Sequence, residues 1–337
     1  MSKLILPRSI RGAFTRDSGM LTFDQATRDS AGAFLVGELE RLDQRLHEPL
    51  ASVTWSRDID LREDVSIADE VSSFTNSSFA AAGGASPNGK SWIGKDATAI
   101  QGISLDIGKT ANPLTLWGME LGWTLPELAS AQRLGRPVDQ QKFAGLQLKY
   151  NMDIDEQVYI GDGVLGLYGL TNSPLVTATN VVNGAGGTPG WSTKTPDEIL
   201  ADVNTLLSNV WAASAYAAVP GKLLLPPAKF SYINSQKVSS AGNISILQYL
   251  KDNSLSNAVN GRPLDIHPCK WCTGRGAGST DRMVAYSQEQ DRVRFPLVPL
   301  QRTPLEYRGI TQLTYYYGRL GAVEWVYPET AGYADGL

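Results

Sequence analysis

Apolar residues recur every three or four positions in several stretches of the chain, and each such stretch predicts a helix with one buried face. From Ala33 to Leu46 the stripe is Phe34, Leu35, Leu39, Leu42 and Leu46, and Pro49 stops it. Thr124 with Glu127 three residues on marks a helix entry, Gly135-Arg136-Pro137 interrupts that helix, and Pro137 is placed to open the next. Phe143, Leu146, Tyr150, Ile154 and Val158, broadened by Ala144, Leu148 and Met152, then predict the longest helix, ending at Gly161. Thr195, Pro196 and Glu198 supply an N-cap, an N1 proline and a capping-box glutamate ahead of the stripe Ile199, Val203, Leu206, Leu207 and Val210. Pro227 opens a helix carrying Phe230, Tyr232 and Ile233, and Asn243 caps ISILQYLKD.

Alternating or continuous apolar runs predict strands between and after these helices. Residues 53–65 (VTWSRDIDLREDV) alternate as one long strand, and 103–107 and 114–123 are short apolar runs. Lys222 to Pro226 (KLLLP) reads as a buried strand. From residue 263 onward the pattern is of strands: PLDIHP, DRMVAYS, RVRFPLV, a long one at 305–318 and AVEWVYP. Two regions lack a period. Residues 1–28 read as an extended arm with turns at Gly12 and Gly19, and 72–101 are small, polar and turn-rich, with Asn88-Gly89 fitting a hairpin tip flanked by Phe79, Trp92 and Ile93. The run GDGVLGLYGLTNSPLV, residues 161–176, has four glycines in its first nine positions and reads as a hinge between two packed units, and Val176 to Trp191 as a loop. The sum is an α+β protein with no repeat and no βαβ alternation.

Composition narrows the function. The 337 residues are 42% hydrophobic, which is enough for a substantial core, yet only 19% are charged, with 33 glycines and 18 prolines. Long loops and surface hidden against partners follow. A net charge of −4 supplies no cationic footprint for tight phosphate binding, so a sequence-reading DNA binder is not expected. Neither a signal-peptide apolar region nor an 18-residue apolar run occurs, and the expectation is a soluble protein made in the cytoplasm, without a membrane partner.

Two motifs resemble chemistry. Gly84-Ala85-Ser86-Pro87-Asn88-Gly89-Lys90-Ser91 matches the phosphate-cradling pattern G-x-x-x-x-G-K-[ST], with Gly84, Gly89, Lys90 and Ser91 at the defined positions. A working loop of this kind follows a buried strand and opens a helix, whereas here SSFTNSSFAAAG precedes it and a glycine-bearing segment without a helical stripe follows. His267, Cys269 and Cys272 place three soft ligands within six residues, but a structural zinc needs a fourth and only His47 remains. A redox CxxC would need a βαβ setting, and two buried or loop thiols are the plainer reading. Asp153, Asp155, Glu156 and Asp162 crowd the end of the long helix, where charges are usually solvated. With two histidines in the chain a catalytic triad has little to draw on, and the expectation is a protein that is no enzyme and holds no cofactor.

The order of elements, with GDGVLGLYGLTNSPLV (161–176), LLLPPAKFSYI (223–233) and DRMVAYSQEQDRVRFPLVP (281–299), resembles tailed-phage major capsid proteins of the Hong Kong 97 fold. The resemblance covers most of the chain. It implies an N-terminal arm and helix at 1–50, an extended loop with flanking strands at 51–120, a peripheral domain with a long spine helix at 121–165 and 300–337, and an axial domain at 166–299. It implies hexamers and pentamers of an icosahedral shell around double-stranded DNA held non-specifically, assembled in the host cytoplasm and found in the virion. Scaffold, portal and decoration proteins are implied partners, and with no large scaffolding region ahead of the arm, a separate scaffold or self-assembly is expected. Some relatives cross-link a loop lysine to an asparagine of another subunit; Lys90 and Lys95 lie in the corresponding region. A bacterial encapsulin-like compartment shares the fold and stays open as an alternative, as does, from a different class, a P-loop nucleotide-binding enzyme.

Overall fold

The stripe from Phe143 to Val158 becomes a 22-residue helix, Val138–Tyr159, in the computed structural model, which describes residues 52–81, 103–134, 138–239 and 244–337. Leu146, Tyr150, Ile154 and Val158 are buried on one face, while Met152, expected to broaden that face, is exposed. Residues 1–51, with the predicted helix at 33–46 and His47, lie outside the described residues. Asn243 and the whole of the Gly84–Ser91 motif, with Lys90 and Lys95, also lie outside them.

In chain order the described strands are β1 (Asp60–Arg62), β2 (Val71–Ala81), β3 (Ile103–Pro113), β4 (Thr115–Thr124), β5 (Thr177–Asn180), β6 (Lys222–Leu225), β7 (Asp265–Pro268), β8 (Arg282–Tyr286), β9 (Val293–Arg302), β10 (Glu306–Arg308), β11 (Thr311–Leu320), β12 (Glu324–Trp325) and β13 (Ala331–Asp335). They form three sheets. β11 pairs antiparallel with β4 on one side and with β9 and β10 on the other, and β1 and β12 extend this sheet from β9. The second runs β5-β13-β8-β6-β7, with β8 antiparallel to its neighbours. The third is the hairpin β2-β3 alone, paired from Val71↔Pro113 to Ala81↔Ile103.

One core joins the first two sheets. Tyr150, Ile154, Val158 and Tyr159 of the long helix pack with Phe295 and Leu297 of β9 and equally with Val284, Tyr286 and Tyr333 of the second sheet. A second core lies on the other side of that sheet, where Ile199, Val203, Leu206, Leu207 and Val210 of helix Pro196–Ala213 meet Leu223, Leu225 and Ile266. The predicted capping box is present: Thr195 Oγ1 accepts from Glu198 N and Glu198 Oε2 accepts from Thr195 N.

Five local expectations differ from the structure. Residues 53–65 are not one strand, because Trp55–Asp58 turn as a short helix before β1. Residues 72–81, without a core face in sequence, are β2. The long run at 305–318 is two strands, β10 and β11, folded back at Gly309, which has φ +65°. The loop expected at 176–191 contains β5, paired parallel with β13, and ISILQYLKD is capped by Ser245, whose side chain accepts from Gln248 N.

The expected hinge is a fastened elbow. Thr171 Oγ1 donates to Tyr159 O at 2.6 Å, and Asn172 spans the turn by donating to Ile160 O and accepting from Gly169 N. Leu167, Leu170, Thr171 and Ser173 are buried. Gly161 has φ +76°, and a Cβ at Gly169 would strike the backbone of Tyr159, so each glycine answers to a particular constraint.

Candidate functional site

The hairpin β2-β3 projects from a fixed root. Glu324, in the middle of the apolar run AVEWVYP, has no exposed surface and is held by Arg294 Nε at 2.7 Å and Arg62 Nη1 at 3.3 Å. Ser72, at the start of β2, donates to the same carboxylate, and Arg62 donates to Ser72 Oγ and Ser73 O, both at 3.0 Å. On the other strand Leu114 N donates to Glu70 O, and Arg319 binds Ile67 O at 2.7 Å and Leu114 O at 3.1 Å. Two strands alone are marginal in water; this charge network ties them to the large sheet. Farther out, register puts Thr75, Ser77, Leu105, Ile107 and Lys109 on one face. Leu105 is 52% exposed and Ile107 62% exposed, so that face carries uncovered apolar area.

A second polar cluster anchors the segment that enters the described unit. Asp155, expected among solvated helix-end charges, is instead completely buried. One of its oxygens accepts from Thr54 N at 2.8 Å and Trp55 N at 3.1 Å, and the other from Trp271 Nε1 at 2.7 Å, with Lys270 Nζ 3.1 Å away. Asp58, also buried, is gripped by both arms of Arg57 at 2.7 Å, by the Tyr159 hydroxyl and by Lys222 Nζ at 3.1 Å. Burial pushes the Asp58 carboxyl upward, but the Arg57 and Tyr159 hydrogen bonds and the Lys222 charge outweigh it and hold its pKa below the ordinary value. Burial, with the Asp58 charge second, drives the Tyr159 and Tyr286 hydroxyls far above the usual tyrosine range. These groups serve as fasteners.

The CxxC residues come together without forming a ligand set. Cys269 and Cys272 are buried free thiols beside the helix–sheet core, and the Cys272 thiol is pushed well up by its hydrogen bond to Cys269 and by burial. His267 donates its Nε2 toward Asp265 at 2.8 Å, and burial lowers its pKa despite that carboxylate. Among the described residues no group of three or more His, Cys, Asp or Glu side chains is placed to hold a metal ion. Of the candidate P-loop only the frame is described: it falls between Ala81 and Ile103, the paired ends of an antiparallel hairpin, where a nucleotide loop would join a buried strand to a helix.

Glu324, Arg62 and Asp58 carry no motif. Only a charge interrupting an apolar strand, as in Val323-Glu324-Trp325, hints at a buried ion pair in the sequence.

A fold in which a long helix backs two sheets and an exposed hairpin leaves one edge is shared with capsid subunits. A chain of the capsid of Myoviridae phage XM1 superposes with TM-score 0.72 at 17% identity, covering 89% of this chain and 98% of that chain. A capsid chain of the native GTA particle gives 0.58 at 12% identity over 92% and 98% of the two chains, and a chain of Mycobacterium phage Adephagia 0.55 at 12% over 94% and 98%. No curated protein matches the sequence. The fold is thus that of Hong Kong 97-like phage capsid subunits. A sequence model of the major capsid protein family matches residues 89–337, and the chain belongs to that family: it is a structural subunit of a capsid shell.

Proposed function

We propose that this subunit builds the icosahedral shell of a tailed phage, as pentamers and hexamers around packaged double-stranded DNA. The observation that carries the reading beyond the family is the hairpin β2-β3, anchored by a buried ion network at its root and apolar along an uncovered face. Such a device suits an element that lies over a neighbouring subunit, where each Å² of apolar surface covered contributes roughly 25 cal/mol before association costs. In this reading residues 51–120 are the extended loop, 121–165 with 300–337 the peripheral domain around the long helix, 166–299 the axial domain, and 1–50 the arm. The exposed turn between β10 and β11, with Tyr307 and Ile310, offers a further apolar contact at the end of the peripheral sheet. The function resides in surfaces, and no residue is assigned a catalytic role. A net charge of −4 suits a container that holds DNA without gripping it.

The test is direct: express the chain alone and with a scaffold and image the product by negative stain. Closed shells that protect nucleic acid support the reading, and shells loaded with a protein cargo would move it to an encapsulin-like compartment.

A further inference from the structure

The elbow after the long helix carries apolar side chains that stand exposed among the described residues. Val164 is 96% exposed, Leu165 51%, Tyr168 48% and Leu175 64%. The turn that displays Val164 and Leu165 is stiff, because Asp162 Oδ1 accepts from both of their N–H groups and Asp162 O accepts from Leu167 N. Gly166, at φ +68°, completes it. The result is a preformed knob, and the chain below it leads into β5, one edge strand of the second sheet.

Beside β6 and β7, toward the opposite edge of the same sheet, lies a cleft of about 590 Å³. One wall is Trp211 and Tyr216, set edge to face at 5.1 Å and joined by Trp211 Nε1 donating to Tyr216 O. Tyr216 and the preceding Ala215 both adopt left-handed backbone, φ +65° and +51°, a conformation that L side chains other than Asn and Asp rarely keep without cause. Val259 and Pro263 also line the cleft, among a majority of polar and charged residues. Among the lining residues is Ser287, 3% exposed, whose Oγ has no hydrogen-bond partner. On the rim Arg262 has no ion-pair partner among the described residues, whereas Asp265 is engaged by His267 and Glu289 by Arg292.

We propose that the occupant is a second copy of this chain, whose Val164–Leu165 knob enters the cleft between Tyr216 and Val259. The proposal rests on the shell reading, in which copies of one chain are the available neighbours. Two observations select the knob: its apolar side chains have Trp211, Tyr216, Val259 and Pro263 to meet in an otherwise polar lining, and Asp162 beside the knob complements Arg262, which is unpaired among the described residues. Knob and cleft belong to different edges of one sheet, so the contact is head-to-tail. Contacts of that kind between unlike patches close into rings where the rotation between copies closes, the form a pentamer or hexamer requires.

Val164→Asp and Val259→Asp test this from both sides, since both residues are exposed and neither substitution disturbs a core. Wild-type protein, each variant and a one-to-one mixture of the two are compared by analytical ultracentrifugation, with thermal unfolding as the folding control. Each variant is expected to unfold like wild type and stay a monomer under conditions where wild type forms particles. The mixture retains one intact knob and one intact cleft, and is expected to yield heterodimers that grow no further. Wild-type-like particles from either variant, or a mixture that stays monomeric, would overturn the knob-in-cleft contact while leaving the shell reading intact. Wild-type protein that never assembles overturns the shell reading and this contact with it.

Discussion

Glu324 and Asp58 are the two carboxylates on which most of the described polar architecture turns, one at the hairpin root and one at the entry segment. Glu324 neutralises Arg62 and Arg294 in a site where it has no contact with water. Replacing it with Leu leaves Arg294 without its anion and Arg62 with only the exposed Asp64. The expected loss is roughly 3 kcal/mol, at the low end for a broken buried pair because both arginines keep some exposure; chemical denaturation measures it, and an unchanged midpoint would remove the network from the account. Asp58 gives a pH prediction. Its folded pKa lies below the ordinary 3.8, so the ionised form favours the folded state above that value, and the contribution is lost as pH falls through the folded pKa. Asp58→Asn should therefore flatten the acid limb of the stability profile below about pH 3.8. An acid limb as steep as wild type would show that other carboxylates govern it. Neither residue is legible in the sequence, because burial of a charge depends on partners as far apart as Asp58 and Lys222, or Arg62 and Glu324.

At the scale of elements, the hairpin β2-β3 is where local pattern and global role part company. Its residues 72–81 are small and polar and read as loop, since among residues 72–77 only Ser72 and Phe74 at the root are buried and a strand so little packed needs no apolar alternation. The strand is set by its pairing with β3 and its root, both non-local. Helices with a buried stripe, such as Pro196–Ala213 with its capping box and Val138–Tyr159, were readable because each carries its own packing face and a start signal in the sequence. Gly309 was a local turn signal inside the run 305–318 that the alternation of Tyr315 and Tyr317 masked. The prediction that belongs here is for Leu105→Ser with Ile107→Ser. Both side chains are exposed, so the isolated subunit should unfold as wild type does, while assembly fails or its critical concentration rises by tenfold or more, light scattering being the readout. Normal assembly would mean that this face is not covered by a neighbour.

For the whole molecule, the order of elements was legible from spacing and turn residues, and with it the resemblance that the fold and the family match bear out. What the sequence could not show is how the parts are fastened. The glycine-rich run at 161–176 reads as a hinge because glycine permits motion, but Tyr159, Thr171 and Asn172 convert it into a fixed elbow packed on a core common to both sheets. Sedimentation of the purified protein, alone and with a scaffold, tests the central claim most directly. The account predicts closed particles of megadalton mass; protein that remains a 36.4 kDa monomer in both conditions would contradict it.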